Sequence, residues 1–452
     1  MKRWFKDSSF RSLIRNTSYQ AVSKVIAAIC SLATLAFASR GLGPAAFGVL
    51  VLIQSYVQSA SGIAQFQSWQ VIIRYGSAAL ARGDPGPLRR AISFSLGLDL
   101  VSALGGLVAA VALLPLLAPW LYIPRTEVAH AMLYCLLLPT MAAATPMGIL
   151  RVLDRFDLIG WQATITPILR GVLTGVAWAL DAKLEAYLVT WFVTALCGDA
   201  YLWVMAWREL RRCGLAGGIR PALRPDPEIL PGAWRFAVNV NLTMSMNAAA
   251  GPVANLLVGG ILGPAAAGMY RIARSLAKSI GSPAEMLENS FYPEVMRQDF
   301  NTKKPWKLMV RSAAVAGLIG AAICAVILIG GHHLISAIFG AEYIGAYPVV
   351  AIMTVATLLS AISFPVTPAL YAMHRTNIPV ASKSWATATF LLALYPLCRW
   401  AGINGAGFAY VIGDVLGIVL MLIALRREYV ARIEQRAGAA AAVRSTDPRP
   451  KL

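Results

Sequence analysis

Apolar runs recur along the whole chain, each roughly the 20 residues that a helix needs to cross the hydrocarbon core of a bilayer. Twelve can be read, at about 16–39, 45–67, 90–118, 127–150, 158–180, 184–207, 233–259, 264–292, 308–331, 346–371, 376–397 and 402–425. The charge content agrees: 13% of the 452 residues are charged, about half the share in soluble proteins. With a mean hydropathy of +0.63, the chain carries more apolar surface than a water-soluble core absorbs, so lipid is the solvent for most of it. In lipid each backbone polar group needs a partner within its own segment, which leaves helices as the spanning element here. The sequence therefore predicts an all-α membrane protein of about 12 transmembrane helices.

Charge placement orients the spans. Alternate connections collect 31 Lys and Arg on one side, Lys383 among them, whereas the other side holds only Arg40, Arg125, Lys183 and Arg399. Basic residues gather on the cytoplasmic side of membrane proteins, so both termini are expected in the cytoplasm. The same rule accounts for the net charge of +19 without nucleic acid as a partner, and none is expected. Six cysteines occur without a CxxC pair and read as small buried hydrophobes. His332-His333 has no ligand at metal spacing, no G-x-x-x-x-G-K loop is present and no nucleophile stands beside a base. No metal, cofactor or enzymatic activity is expected.

The chain also contains a repeat. Leu42-Gly43-Pro44-Ala45-Ala46-Phe47-Gly48 recurs as Leu262-Gly263-Pro264-Ala265-Ala266-Ala267-Gly268, an offset of 220. The same offset maps Pro85 onto Pro305, Leu88 onto Leu308 and Arg155 onto Arg375. Six spans per copy is an even number, so both copies enter the membrane in one direction, as parallel repeats do. The organisation expected is an N-terminal six-helix lobe over 1–207, a Pro- and Arg-rich cytoplasmic linker over 208–232, a C-terminal six-helix lobe over 233–426, and a basic, disordered tail over 427–452. In the repeated motif Gly permits a positive φ and Pro presets the start of the next helix.

Ionisable residues inside spans are costly and mark function by default. Lys24, Arg170, Arg271, Arg274 and Lys278 are basic and intramembrane. The last three follow an i, i+3, i+7 spacing that puts them within a sector of about 60° on one helix. The preceding span carries Asn241 and Asn247 among several polar residues. Together these residues would line a wet, cationic cavity suited to an anion such as a diphosphate, with Arg as fork-shaped donor and Lys as point charge. Asp99, Asp199, Glu285, Glu288 and Asp414 are the buried carboxylates. They are candidates for H⁺ or Na⁺ coupling, and equally for neutralising the buried arginines as helix–helix glue.

Arg40-Gly41-Leu42-Gly43-Pro44-Ala45-Ala46-Phe47-Gly48 resembles the ARxLGPxxFG signature near the start of polysaccharide transporters, among them the Wzx flippases of O-antigen and exopolysaccharide synthesis. Leu262 to Tyr270, followed by a basic-polar helix ending Phe291-Tyr292-Pro293-Glu294, resembles their second-half signature, with Ala267 where the first copy has Phe47. The family belongs to the multidrug/oligosaccharidyl-lipid/polysaccharide (MOP) exporter superfamily. The resemblance implies two six-helix bundles forming a V around a central cationic cavity. It implies flipping of a polyprenyl-diphosphate-linked oligosaccharide across the bacterial inner membrane, with a polysaccharide polymerase and other assembly proteins as further partners. A cation-coupled multidrug exporter of the same superfamily is the alternative, and a non-transporting scaffold for polysaccharide assembly is another.

Overall fold

Each apolar run folds as a helix or a short series of helices. A computed structural model describes residues 8–445 except 142, 297, 299, 301 and 303, and the side chains of most residues from 26 to 430. In chain order the elements are α1 (Ser8–Ala64), α2 (Trp69–Ala81), α3 (Pro85–Leu117), α4 (Arg125–Cys135), α5 (Leu138–Met141), α6 (Ala144–Val152), α7 (Phe156–Ala179) and α8 (Leu184–Arg212). They continue with α9 (Ala233–Leu262), α10 (Pro264–Met296), α11 (Lys304–Phe339), a 3₁₀ turn (Ala341–Ala346), α12 (Tyr347–Ser363), α13 (Val366–Ala372), α14 (Asn377–Ala401) and α15 (Ile403–Ser445). All twelve expected spans fall on these elements. Seven stretches among the described residues are long and apolar enough by themselves to cross a bilayer. α9 and α10 have the length, 30 and 33 residues, and α9 contributes the shorter apolar stretch Ala248–Leu262. Side chains such as Leu116, Ile329 and Leu392 are more than 70% exposed, which an aqueous surface tolerates poorly and acyl chains favour.

The repeat persists down to single hydrogen bonds. Leu153 N donates to Ile149 O, Asp154 N to Arg151 O and Arg155 N to Leu150 O. At an offset of 220, Met373 N donates to Ala369 O, His374 N to Tyr371 O and Arg375 N to Leu370 O. Asp154 and His374 adopt φ of 56° and 60°, the left-handed conformation that lets a helix stop and turn. Each turn then delivers its arginine to a glutamate. Arg155 Nη1 lies 2.6 Å from Glu209 Oε2 on α8, and Arg375 Nε lies 2.7 Å from Glu428 Oε1 on α15.

The two ion pairs differ in burial. Glu209 is only 9% exposed and also binds Arg212 Nη1 at 3.1 Å. Glu428 is 19% exposed, but its partner Arg375 is 57% exposed. Glu209→Gln removes the buried carboxylate that Arg155 and Arg212 share, while Arg155 keeps Asp157, and should cost about 1–2 kcal/mol, below the range for a fully buried pair. Glu428→Gln should cost less than about 1 kcal/mol, as exposed pairs do. Thermal unfolding of the two variants in detergent checks the order. Equal melting shifts would contradict it. The Arg155 guanidinium also binds Asp157 at 3.0 Å, and that hydrogen bond holds the Asp157 carboxyl below the usual carboxylate range.

The chain packs as two compact units. One comprises Met1–Leu276, His332–Pro348 and Leu394–Ala406, and the other Ala277–Gly331, Val349–Ala393 and Gly407–Leu452. The division runs through α10 rather than between the repeat copies. In the first unit Ile72, Leu88, Ile92, Leu150, Leu202 and Leu210 form a core among α2, α3, α6 and α8. In the second, Phe291, Val295, Phe364, Leu370 and Leu425 form its counterpart. The segment expected as a linker begins later than position 208, because α8 continues to Arg212. Beyond Arg212 the chain docks on α3. Arg89 donates to Gly214 O and Leu215 O at 2.9 and 3.2 Å, and Ala222 N donates to Ser93 O at 2.9 Å. The tail also differs from the disorder expected of it after 426, since α15 continues to Ser445. Its Ala-rich run 437–442 has high helix propensity, which the charge count alone does not register.

Both copies of the Leu-Gly-Pro motif lie in the first unit, and they pack on each other. Gly43 bends α1 (φ 67°, ψ 171°), and Gly263 ends α9 with nearly the same dihedrals (φ 90°, ψ 170°). The Pro264 carbonyl lies directly against the Cα of Gly48, where a Cβ would clash. The Phe47 ring, fully buried, sits over Gly268 and edge-on to Tyr343 at 5.9 Å. One bulky ring at this junction explains why its counterpart is Ala267, itself fully buried. Arg40 caps the end of α11 by donating to Ile338 O at 3.0 Å and to Ala337 O. Tyr343 OH donates to Ser39 O at 3.1 Å. The motif is therefore a packing junction.

Candidate functional site: an arginine cluster and a carboxylate–lysine cluster

Three of the sequence-predicted basic residues come together in the first unit. Arg170 projects from α7 at half-buried depth. Its Nε donates to Thr194 Oγ1 on α8 at 3.0 Å, and Thr194 in turn donates to Thr190 O at 2.9 Å. The guanidinium stands 5.9 Å from the ring centre of Trp191, which Thr174 fixes through a 3.3 Å indole hydrogen bond. Asp199 and Tyr134 lie within Coulombic reach of Arg170, and Asp199 is hydrogen-bonded to Thr140. So Arg170 is oriented by polar groups and partly compensated by one carboxylate.

Arg271 and Arg274, on α10, have a different environment. Arg271 experiences the charges of Arg274 and Arg170, and its Nε is buried without a hydrogen-bond partner. Among the described residues neither Arg271 nor Arg274 has a carboxylate partner. The Arg274 guanidinium lies on Gly251 of α9, in the space that a Cβ would fill. These three guanidinium groups, two of them without a carboxylate partner among the described residues, supply the planar paired donors that a multivalent anion would need, and low dielectric would strengthen each such contact.

Gly251 is accordingly a positioning residue. Its replacement by alanine displaces the flexible end of Arg274 rather than a backbone, so the fold should survive. Gly251→Ala should leave the melting temperature unchanged and weaken binding of inorganic diphosphate, used as a probe anion, by about tenfold, since an ångström-scale misplacement is costly. Direct binding to the purified variant checks this. Unchanged affinity would mean that this position of Arg274 does not matter.

The second unit holds the opposite arrangement. Glu288 is near Glu285 and Lys383. Asp414 accepts a 2.6 Å hydrogen bond from Ser360 Oγ and is also near Lys383. Lys383 lies in α14, six residues past its start. Counting it among loop charges misses the cation that faces these acids; its depth within the run 376–397 is the signal that could reveal it. Lys278 and Glu285 are exposed in this unit, and each has an interaction partner. The sequence stripe Arg271, Arg274, Lys278 is thus divided between two packing units.

The remaining residues sit elsewhere. Asp99 is 3% exposed and accepts from Thr145 N at 3.0 Å, capping the N-terminus of α6 beside Ser68 and Thr145. That placement sets the Asp99 side chain at the positive end of the α6 dipole. Asn241 accepts from Ser245 Oγ at 3.0 Å, and Asn255 donates to Ser55 Oγ at 3.1 Å, joining α9 to α1. Lys24 and Asn247 lie outside the described side chains. Among the described residues His130 is brought close to acids, its Nδ1 3.2 Å from Glu127 with Glu185 adjoining.

The fold matches solved membrane transporters over nearly its whole length. An inward-facing multidrug resistance MATE family transporter of the MOP superfamily aligns with a TM-score of 0.71 at 15% identity, over 92% of this chain and 99% of that one. The outward-facing conformation of a MATE family transporter aligns at 0.62 and 15% identity, over 94% and 96%. A MOP superfamily transporter from Pyrococcus furiosus, described as having a binding pocket of reverse polarity, aligns at 0.56 and 14% identity, over 93% and 96%. The fold is that of the MOP transporters. Residues 13–293 match the family described as polysaccharide biosynthesis protein, and the chain belongs to it. The inner membrane protein YghQ of Escherichia coli (strain K12) is 41% identical over 350 residues, 77% of this chain and 99% of that protein.

Proposed function

We propose that the chain is a flippase that moves a polyprenyl-diphosphate-linked oligosaccharide across the bacterial inner membrane by alternating access. The observation that carries the reading is Arg271 and Arg274, without a carboxylate partner among the described residues, beside Arg170. Unpaired guanidinium groups inside a bilayer protein are expensive, and a diphosphate is the ligand whose charge and geometry offset that cost. The family name accords with a glycan cargo. In this reading the arginines hold the diphosphate, Lys24, Lys278, Asn241 and Asn247 contribute to holding cargo, and the lipid tail stays in the bilayer. The repeat copies at 1–207 and 233–426 are the moving lobes, and both termini face the cytoplasm. H⁺ or Na⁺ coupling falls to one or more of Asp99, Asp199, Glu285, Glu288 and Asp414. A polysaccharide polymerase and other assembly proteins would act on the flipped product.

A multidrug exporter is the second reading, favoured by the likeness to MATE transporters. The arginine cluster opposes it, because cationic drugs would meet like charge. Reconstitution in vesicles decides. A fluorescent polyprenyl-diphosphate oligosaccharide should change leaflets, and a proton or Na⁺ gradient should accelerate it if coupling exists. Transport of a cationic dye without movement of the lipid-linked glycan would replace the first reading with the second.

A further inference from the structure

The end of α8 carries a feature that the arginine cluster does not use. Trp203, Val204, Trp207, Arg208, Arg211 and Arg212 line an open groove of about 660 Å³. Trp203, Trp207 and Arg211 follow i, i+4, i+8, so they stack along one face of the helix. Val204 and Arg208 form the adjoining row. The Arg211 guanidinium lies 5.6 Å from the Trp207 ring centre, which fixes its direction. Arg212 is occupied by Glu209, and Glu209 is also engaged by Arg155. The local carboxylate is thus saturated. Arg208 and Arg211 are exposed and have no acidic partner among the described residues.

Along this face the indoles of Trp203 and Trp207, with Val204 between them, precede the guanidinium groups of Arg208 and Arg211. This order coincides with the end of a membrane-crossing stretch, Leu184–Arg212. Tryptophan favours the interfacial level of a bilayer, and arginine pairs with phosphate. From the bilayer core outward a phospholipid presents a matching order: acyl chains, glycerol esters, phosphate. A helix end with cations alone would be accounted for by its dipole; the groove with two indoles beneath the cations is the added element.

We propose that this groove binds the headgroup of an anionic phospholipid of the surrounding leaflet. The complementary charge of Arg208 and Arg211 selects phosphatidylglycerol-type over zwitterionic headgroups. The site is separate from the proposed cargo site, and its failure would leave that reading intact.

The test uses the full-length protein in detergent with photoactivatable phosphatidylglycerol, then phosphatidylcholine, and mass spectrometry of the labelled peptides. Phosphatidylglycerol should label the peptide spanning 203–212 at least about tenfold more than phosphatidylcholine. Arg208→Gln with Arg211→Gln should remove that excess. The same charge loss at Arg220→Gln with Arg224→Gln, on the segment after α8, should not. Equal labelling by both lipids in the wild type would overturn the proposal without any variant. So would an equal fall in the control pair, which would make the preference a general effect of charge. Loss of labelling on adding millimolar inorganic phosphate would assign the groove to free phosphate and overturn the lipid assignment.

Discussion

A protein with Arg271→Gln and Arg274→Gln should insert and fold like the wild type but fail to move a lipid-linked glycan. Each charge-assisted contact to a phosphate contributes about 1.5–3 kcal/mol. Losing two removes about 3–6 kcal/mol, or roughly 10²–10⁴ in affinity. The fold should tolerate the change, since neither arginine has a carboxylate partner among the described residues and the buried Arg271 Nε is already unsatisfied. Relief of mutual repulsion among Arg170, Arg271 and Arg274 should even raise the melting temperature slightly. Lysine at both positions separates charge from geometry, because it keeps the positive charge without the paired donors. The readouts are the vesicle assay for movement and size exclusion with thermal unfolding for integrity. Full movement in the Gln variant would sink the claim that this cluster holds the cargo. A variant that fails to fold would show that the cluster is structural.

The second large effect concerns the junction of the two Leu-Gly-Pro motifs. Gly48→Val should abolish stable insertion, or lower the melting temperature further than any other single change considered. A valine Cβ at this position meets the Pro264 carbonyl and Ala265 N. These are backbone atoms of a helix start, so no rotamer relieves the clash. Overpacking in a core costs about 1–3 kcal/mol when side chains can yield, and more is expected when two helix axes must separate. Gly268→Val should be less severe, since its nearest neighbour is the Phe47 ring at 2.9 Å. Gly105→Val supplies the control, as nothing lies within 4 Å of its Cβ position. Expression, monodispersity and thermal unfolding report the order Gly48, Gly268, Gly105. Wild-type behaviour of Gly48→Val would show that the contact is not a constraint.

The spans and the repeat are legible in the sequence because both are local properties of the chain. Hydropathy needs only a window of roughly 20 residues, and the 220-residue offset needs only a comparison of the sequence with itself. Pairings between helices are not legible. Arg155 is recognisable as a repeat mate of Arg375, yet nothing local shows that Glu209 and Glu428 receive them. Arg170 beside Asp199 depends on how α7 packs on α8. Lys383 falls among the loop charges because orientation counting rewards every Lys near a span boundary, whatever it faces. The Leu-Gly-Pro motif reads as a turn, which its dihedrals bear out, but its contact with its own copy follows from packing alone. The helical continuation of α15 escapes the sequence reading because a basic, terminal segment looks solvated while its alanines favour a helix.

The Arg40 cap on α11 has a consequence for how the protein is made. Its acceptors, Ala337 and Ile338, leave the ribosome some 300 residues after Arg40. At synthesis rates of about 5–20 residues per second this is a delay of roughly 15–60 s. The first unit also waits for Leu394–Ala406. During that interval α1 is in the membrane with an arginine lacking its final acceptors and a junction glycine lacking its Pro264 neighbour. The early helices must therefore persist as a loosely associated set in lipid.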